Sequence, residues 1–219
     1  HTNRDMTMNA ADIWNSMPRR IVAILRGLQP DETEAVIMAL IGAGIRAIEI
    51  PLNRPHAMQS VEIAVRSAQM AGQACLVGAG TVLSAAAVRQ VHEAGGNLIV
   101  APNHDPQVVR AARSAAMVTL PGVFTATEAL AALADGATGL KFFPASVLGP
   151  AGVAAIGTIL PEDASVCAVG GVGPDDFAAW MKAGITGFGI GSSLYQPGRT
   201  TAEIGAAAAA LVTAYDAAK

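Results

Sequence analysis

One pattern dominates the chain: a short Val/Ile/Leu/Ala run, a turn of Gly, Pro, Asn or Thr, then an Ala-rich amphipathic stretch with a glycine near its end. It occurs eight times. The apolar runs cover residues 21–25, 47–50, 74–77, 98–101, 117–120, 139–143, 165–169 and 187–190. Their centres lie roughly 19 to 27 residues apart, the spacing of a strand–helix unit rather than of a hairpin. Because the runs are apolar throughout instead of alternating, the strands are buried on both faces, as in a parallel sheet covered by helices. Eight such units predict a (β/α)8 TIM barrel, preceded by an extra N-terminal helix over residues 9–17. An open doubly wound sheet is the alternative. Its dinucleotide fingerprint is incomplete, since Gly78-Ala79-Gly80 is followed by Leu83, and Gly189-Ile190-Gly191 by Leu194, where a third glycine belongs.

Local signals agree with the cycle. Asp31 with Glu34 and Thr125 with Glu128 read as capping boxes, and Asp105-Pro106 and Gly173-Pro174 place proline at helix starts. Gly44, Gly72, Gly95, Gly136 and Gly184 read as helix ends. No linker or composition break interrupts residues 9–219, so one barrel domain is expected there. Residues 1–8 carry no apolar core and read as a disordered or tag-derived leader, with a natural start at Met6 or Met8. Nothing in them has a signal-peptide layout, and a cytoplasmic protein is expected. Residues 142–161 carry no charge, yet Pro144, Gly149, Pro150, Gly152 and Gly157 exclude a membrane helix there. A formal charge of −3, and no basic cluster beyond Arg19-Arg20, argue against a nucleic-acid surface. Cys75 and Cys167 lie in apolar runs and read as buried free thiols, a disulfide being the alternative.

In a barrel, chemistry gathers where each strand ends and its loop begins. Lys141 is one of only three lysines and alone sits among large apolar side chains, in Gly139-Leu140-Lys141-Phe142-Phe143-Pro144. Burial lowers a lysine pKa, and a neutral amine attacks carbonyls to form Schiff bases. The competing reading is a lysine that snorkels from a strand end or pairs with a carboxylate. Glu49 is the one carboxylate of 17 embedded in a predicted strand. It suits proton transfer beside Lys141, or serves as a counter-ion for Arg26 or Arg46. Arg26 ends the first strand, where it can grip a carboxylate or phosphate or simply lie on the surface. Gly170-Gly171 and Gly191-Ser192 follow the last two strands, and their backbone N–H groups suit a phosphate cradle. His56, His92 and His104 lack ligand spacing, so no metal site is expected.

Six segments in the same order resemble the KDPG/KHG aldolase family. They are Leu25-Arg26-Gly27, Ile48-Glu49-Ile50-Pro51-Leu52-Asn53, Gly78-Ala79-Gly80-Thr81-Val82, Leu140-Lys141-Phe142-Phe143-Pro144, Ala168-Val169-Gly170-Gly171-Val172 and Gly191-Ser192. The resemblance implies a homotrimeric (β/α)8 aldolase of class I that acts on a phosphorylated keto-deoxy sugar acid, with no organic or metal cofactor. It implies that Lys141 forms the imine with pyruvate and that Glu49 moves protons. Arg26 and Thr81 are then expected at the substrate carboxylate. Gly170, Gly171, Gly191 and Ser192 are expected at the phosphate, with Phe143, Pro121 and Val169 as pocket walls. Family members acting on the gluconate epimer usually carry arginine where this chain has Asn53, Pro-Thr where it has Ala168-Val169, and glutamate where it has Ser146. These differences favour the galactonate epimer, because Val169 cannot hydrogen-bond a sugar hydroxyl. The alternatives are the gluconate epimer, both epimers, or a phosphosugar-binding barrel without catalysis.

Overall fold

A computed structural model describes residues 8–219. The expectation for the leader therefore lies, apart from Met8, outside the described residues. The elements alternate: α1 (Ala10–Ser16), β1 (Arg20–Ile24), α2 (Pro30–Gly42), β2 (Ala47–Pro51), α3 (Ala57–Met70), β3 (Leu76–Gly80), α4 (Ala85–Glu93) and β4 (Leu98–Val100). Then follow α5 (Pro106–Ser114), β5 (Val118–Leu120), β6 (Gly122–Val123), α6 (Ala126–Ala134), β7 (Leu140–Phe142) and α7 (Ala145–Gly157). The chain ends with β8 (Val166–Val169), a 3-10 turn at Pro174–Asp176, α8 (Phe177–Lys182), β9 (Gly187–Ile190) and α9 (Thr201–Ala218).

The strands are all parallel, in the order β5-β4-β3-β2-β1-β9-β8-β7-β6. The two ends of that order, β5 and β6, are separated only by Pro121. Proline has no N–H to give a ladder, so the fifth strand breaks there. Its first half pairs with β4 (Leu98↔Val118) and its second with β7 (Gly122↔Lys141). The sheet thus closes through one kinked strand, as a (β/α)8 barrel requires, and the open doubly wound alternative is excluded.

Side chains alternate between two compartments. Ile21, Ala23, Ile48, Ile50, Val77, Ala79, Ile99, Phe142, Ala168 and Phe188 face the helical layer. Val22, Ile24, Ala47, Leu76, Leu98, Val100, Val118, Leu120, Cys167 and Val169 fill the barrel interior. That interior is joined by α1, which closes the barrel floor against β3 and β5. Asn9 caps the helix by accepting from the Asp12 N–H at 2.9 Å. Trp14 is wholly buried, and its indole N–H donates to Ser165 Oγ at 3.2 Å. Both cysteines are free and buried, Cys75 against the helices and Cys167 inside the barrel, so the disulfide alternative falls.

Two local expectations shift. The α2 cap is Gln29 with Glu32, whose Oε1 accepts from the Gln29 N–H at 3.2 Å, and Pro30 takes the first helical position. Asp31 with Glu34 is therefore not the cap: a proline two residues before Glu32 is the stronger start signal. The third strand also continues three residues past its predicted end, through Gly78-Ala79-Gly80. These glycines read as a turn but are used for close packing. A Cβ at Gly78 would stand 1.9 Å from the Leu98 carbonyl oxygen, so the backbones of β3 and β4 would have to part. Gly78→Ala is expected to cost about 1–3 kcal/mol through overpacking. In a chain of this size each kcal/mol lowers Tm by about 2–4 °C. Unchanged thermal unfolding of that variant would show that the two strands have slack there.

Candidate active site

Glu49 in the middle of β2 and Lys141 in the middle of β7 both project into the barrel, since their strand neighbours Ile48, Ile50, Leu140 and Phe142 face the helices. Both are almost fully buried, at 2% and 7% exposure. Removing a carboxylate from water disfavours its ionised form. Burial therefore raises the Glu49 pKa to about 7, with Lys141 and Arg26 opposing the shift. The same loss of water lowers the Lys141 pKa, partly opposed by the Glu49 charge and reinforced by Arg26. The two groups thus sit closer in proton affinity than in water, which favours proton transfer at this site. Lys141 Nζ also lies 4.8 Å from the centre of the Phe143 ring.

Space for the Glu49 carboxylate comes from a missing side chain. A Cβ on Gly80 would fall 1.8 Å from Glu49 Oε2 and 2.6 Å from Oε1. Among the described residues no hydrogen-bond donor reaches Oε2, which is buried. A buried carboxylate oxygen without a donor is costly and awaits a proton, a water or a ligand.

A cavity of about 490 Å³ opens at the C-terminal ends of the strands. Lys141, Glu49, Arg26, Thr81, Phe143 and Val169 line it, together with Gly170, Gly171, Gly191 and Ser192. One sequence candidate stands apart. Pro121 is buried in the wall beside Lys141, where its carbonyl accepts the Lys141 backbone N–H at 2.9 Å, but it does not line the cavity. Thr81 adopts φ 52, a left-handed conformation rare for a β-branched residue. Gly170 (φ 95) and Gly171 (φ 72) take the same region consecutively, which glycine tolerates and which turns their backbone toward the mouth. Cys167 pairs with Lys141 in register, but burial pushes its thiol up to about 12, so it stays protonated and is no competing nucleophile.

The pattern of sequence that describes the KDPG and KHG aldolases matches residues 15–205. The chain belongs to the KDPG and KHG aldolase family. Among the relatives of this aldolase, a protein of Rhizobium meliloti (strain 1021) named "Probable 2-dehydro-3-deoxy-6-phosphogalactonate aldolase" is 54% identical, covering 92% of this chain and 93% of its own. The 2-dehydro-3-deoxy-6-phosphogalactonate aldolase of Escherichia coli (strain K12) is 45% identical, covering 89% and 94%. A solved structure described as "Native KDPGal structure" superposes with a TM-score of 0.87 at 44% identity, covering 93% of this chain and 96% of its own. Among the described residues no helix of the aldolase is long and apolar enough to cross a membrane.

Reading the sequence left out Tyr195, Gln196 and Pro197, which also line the cavity. They follow Gly191-Ser192-Ser193 after the buried Leu194, and the Pro197-Gly198 turn before the last helix was the available signal.

The buried carboxylate of this aldolase has a consequence for stability. Its ordinary pKa is near 4.5 and its folded value about 7. Across that window the folded state keeps a proton that the unfolded chain releases, so stability falls as pH rises through it. At 1.36 kcal/mol per unit, the loss approaches about 3 kcal/mol above pH 7. Glu49→Gln removes the effect, and its Tm relative to wild type is expected to climb between pH 5 and 8. A constant difference across that range would mean that Glu49 ionises as freely as in water.

Proposed function

We propose that this chain is a class I aldolase that cleaves 2-dehydro-3-deoxy-6-phosphogalactonate to pyruvate and glyceraldehyde 3-phosphate. The observation that carries the reading is one amine and one carboxylate, both buried in a barrel interior and displaced toward neutrality. The names of the relatives support the substrate.

The neutral Lys141 amine attacks C2 of the keto acid and forms a carbinolamine. Protonated Glu49 gives its proton to the departing hydroxyl, water leaves, and an iminium remains. The Glu49 carboxylate then removes the proton of the C4 hydroxyl. The C3–C4 bond breaks, its electrons pass into the iminium, and the aldehyde departs. Protonation of the enamine at C3 and hydrolysis of the imine release pyruvate and restore Lys141. The iminium is itself the electron sink, so the bond cleavage is carried by groups the chain supplies. Arg26 and Thr81 hold the substrate carboxylate. The N–H groups of Gly170, Gly171 and Gly191, with the Ser192 hydroxyl, receive the phosphate. Phe143 shields the amine from water, and Pro121 fixes the strand beside it. Val169 presents methyl groups where a threonine would present a hydroxyl, which underlies the choice of the galactonate epimer.

The family resemblance supports a homotrimer working in the cytoplasm. Phe124, Leu130 and Val147, from consecutive strand–helix units, expose apolar side chains suited to such an interface, Val147 at 72%.

Incubation with pyruvate and borohydride is expected to add one reduced pyruvyl group on Lys141, read by intact mass and peptide mapping, and none in Lys141→Ala. No added mass on the wild-type protein would leave a sugar-phosphate-binding barrel without catalysis. Glu49→Gln is expected to lower kcat by about 10²–10⁴-fold with near-normal substrate binding, the usual scale for a lost acid–base group. Turnover unchanged by that substitution would take Glu49 out of the reaction. Comparison of kcat/KM for the two epimers is expected to favour the galactonate form; a strong preference for the gluconate form would reverse the substrate assignment.

A further inference from the structure

The loop after β9 is held in one shape by its own hydrogen bonds. Leu194 and Tyr195 donate their backbone N–H groups to the Gly191 carbonyl at 2.9 and 3.0 Å. Gln196 Nε2 donates to the Ser192 carbonyl at 3.0 Å, and Arg199 Nη1 to the Ser193 and Leu194 carbonyls at 2.8 and 3.1 Å. The loop after β1 is equally fixed. Thr33 Oγ1 donates to the Gln29 carbonyl at 2.7 Å, Ser60 Oγ to the Leu28 carbonyl at 3.0 Å, and the Glu32 carboxylate accepts from the Gln29 N–H.

A single side-chain hydrogen bond joins these two rigid loops among the described residues. Tyr195, buried in the cavity wall, donates its hydroxyl to the same Glu32 carboxylate that caps α2. Burial and the facing Glu32 carboxylate raise the phenol pKa, so the hydroxyl keeps the proton it donates. The two loops run side by side here, since a Cβ on Gly27 would lie 3.5 Å from Pro197 Cγ. One loop carries Arg26 and the other carries Ser192, both facing the cavity.

Resting on the function proposed above, we infer that the Tyr195–Glu32 hydrogen bond is a positioning device that sets the span between the Arg26 end of the cavity and the phosphate cradle. Neither side chain takes part in bond breaking. A substrate anchored at both ends feels that span, whereas one anchored only through the imine and its carboxylate does not. The bond therefore enforces the demand for a phosphate-terminated substrate. It does so by holding two prebuilt anchors at a fixed separation, which spares the substrate the cost of ordering them.

Tyr195→Phe keeps the ring and removes only the donor. It is expected to raise KM for the phosphorylated substrate about tenfold, the scale of one buried hydrogen bond to a charged group. The KM for the corresponding sugar acid without phosphate, and pyruvate trapping on Lys141, are expected to stay at wild-type values. Glu32→Ala is expected to match Tyr195→Phe, while Glu32→Gln, which still offers an acceptor oxygen, is expected to retain the discrimination. Equal losses on both substrates would show a merely structural contact, and unchanged KM on both would show that the span is set elsewhere; either overturns the inference. Trapping of pyruvate by the wild-type protein is measured in parallel. Its absence there would undo the aldolase reading itself, whereas its presence beside an indifferent Tyr195→Phe would undo only the positioning role.

Discussion

Everything at the catalytic end of this barrel follows from putting a carboxylate and an amine where water cannot solvate them. In solution the two would be an anion and a cation separated by about six pKa units. Inside the barrel each charge loses its hydration, and each group moves toward the neutral form. Their mutual attraction limits that drift without abolishing it. The result is a pair whose proton affinities lie closer together than in water, assembled from two strands that lie on opposite sides of the barrel order.

The surrounding scaffold is shaped to permit this. Beyond Leu76, the inward positions of β3 are Gly78 and Gly80, and those of β9 are Gly187 and Gly189. A side chain at Gly80 would collide with the Glu49 carboxylate, and one at Gly189 would come within 2.7 Å of Val169. The volume that other small barrels fill with large aliphatic layers is here partly left to functional groups, and α1 restores the lost packing from below through Trp14 and Met17.

Much of this arrangement was legible in the chain. The periodic apolar runs located every strand except β6, whose Gly122–Val123 lies beyond the end of the fifth run, and the scarcity of charge within them singled out Lys141 and Glu49. What escaped was of two kinds. Glycines serve both turns and close packing, so Gly78-Ala79-Gly80 read as a loop although the strand runs through it to meet Leu98 and Glu49. Contacts between distant residues leave no periodic trace. The Tyr195–Glu32 bond joins positions 163 apart in sequence, and Glu32 alone looks like any acid at a helix start. Pro121 shows the converse error: its place at a strand end suggested a pocket wall, but its ring breaks the fifth strand and its carbonyl serves the backbone beside the lysine.

Among the described residues Trp14 stoppers the lower end of the barrel, and the cavity around Lys141 and Glu49 opens at the opposite end. On the proposed mechanism, a keto acid bonded to Lys141 would sit at the inner end of the cavity, with the phosphorylated fragment nearer its mouth. Once the carbon chain is cut, the outer piece would leave first, and water would then reach the imine and free the inner piece. On that mechanism a tryptophan far from both products, with the packed layer above it, would bear on the order in which they leave.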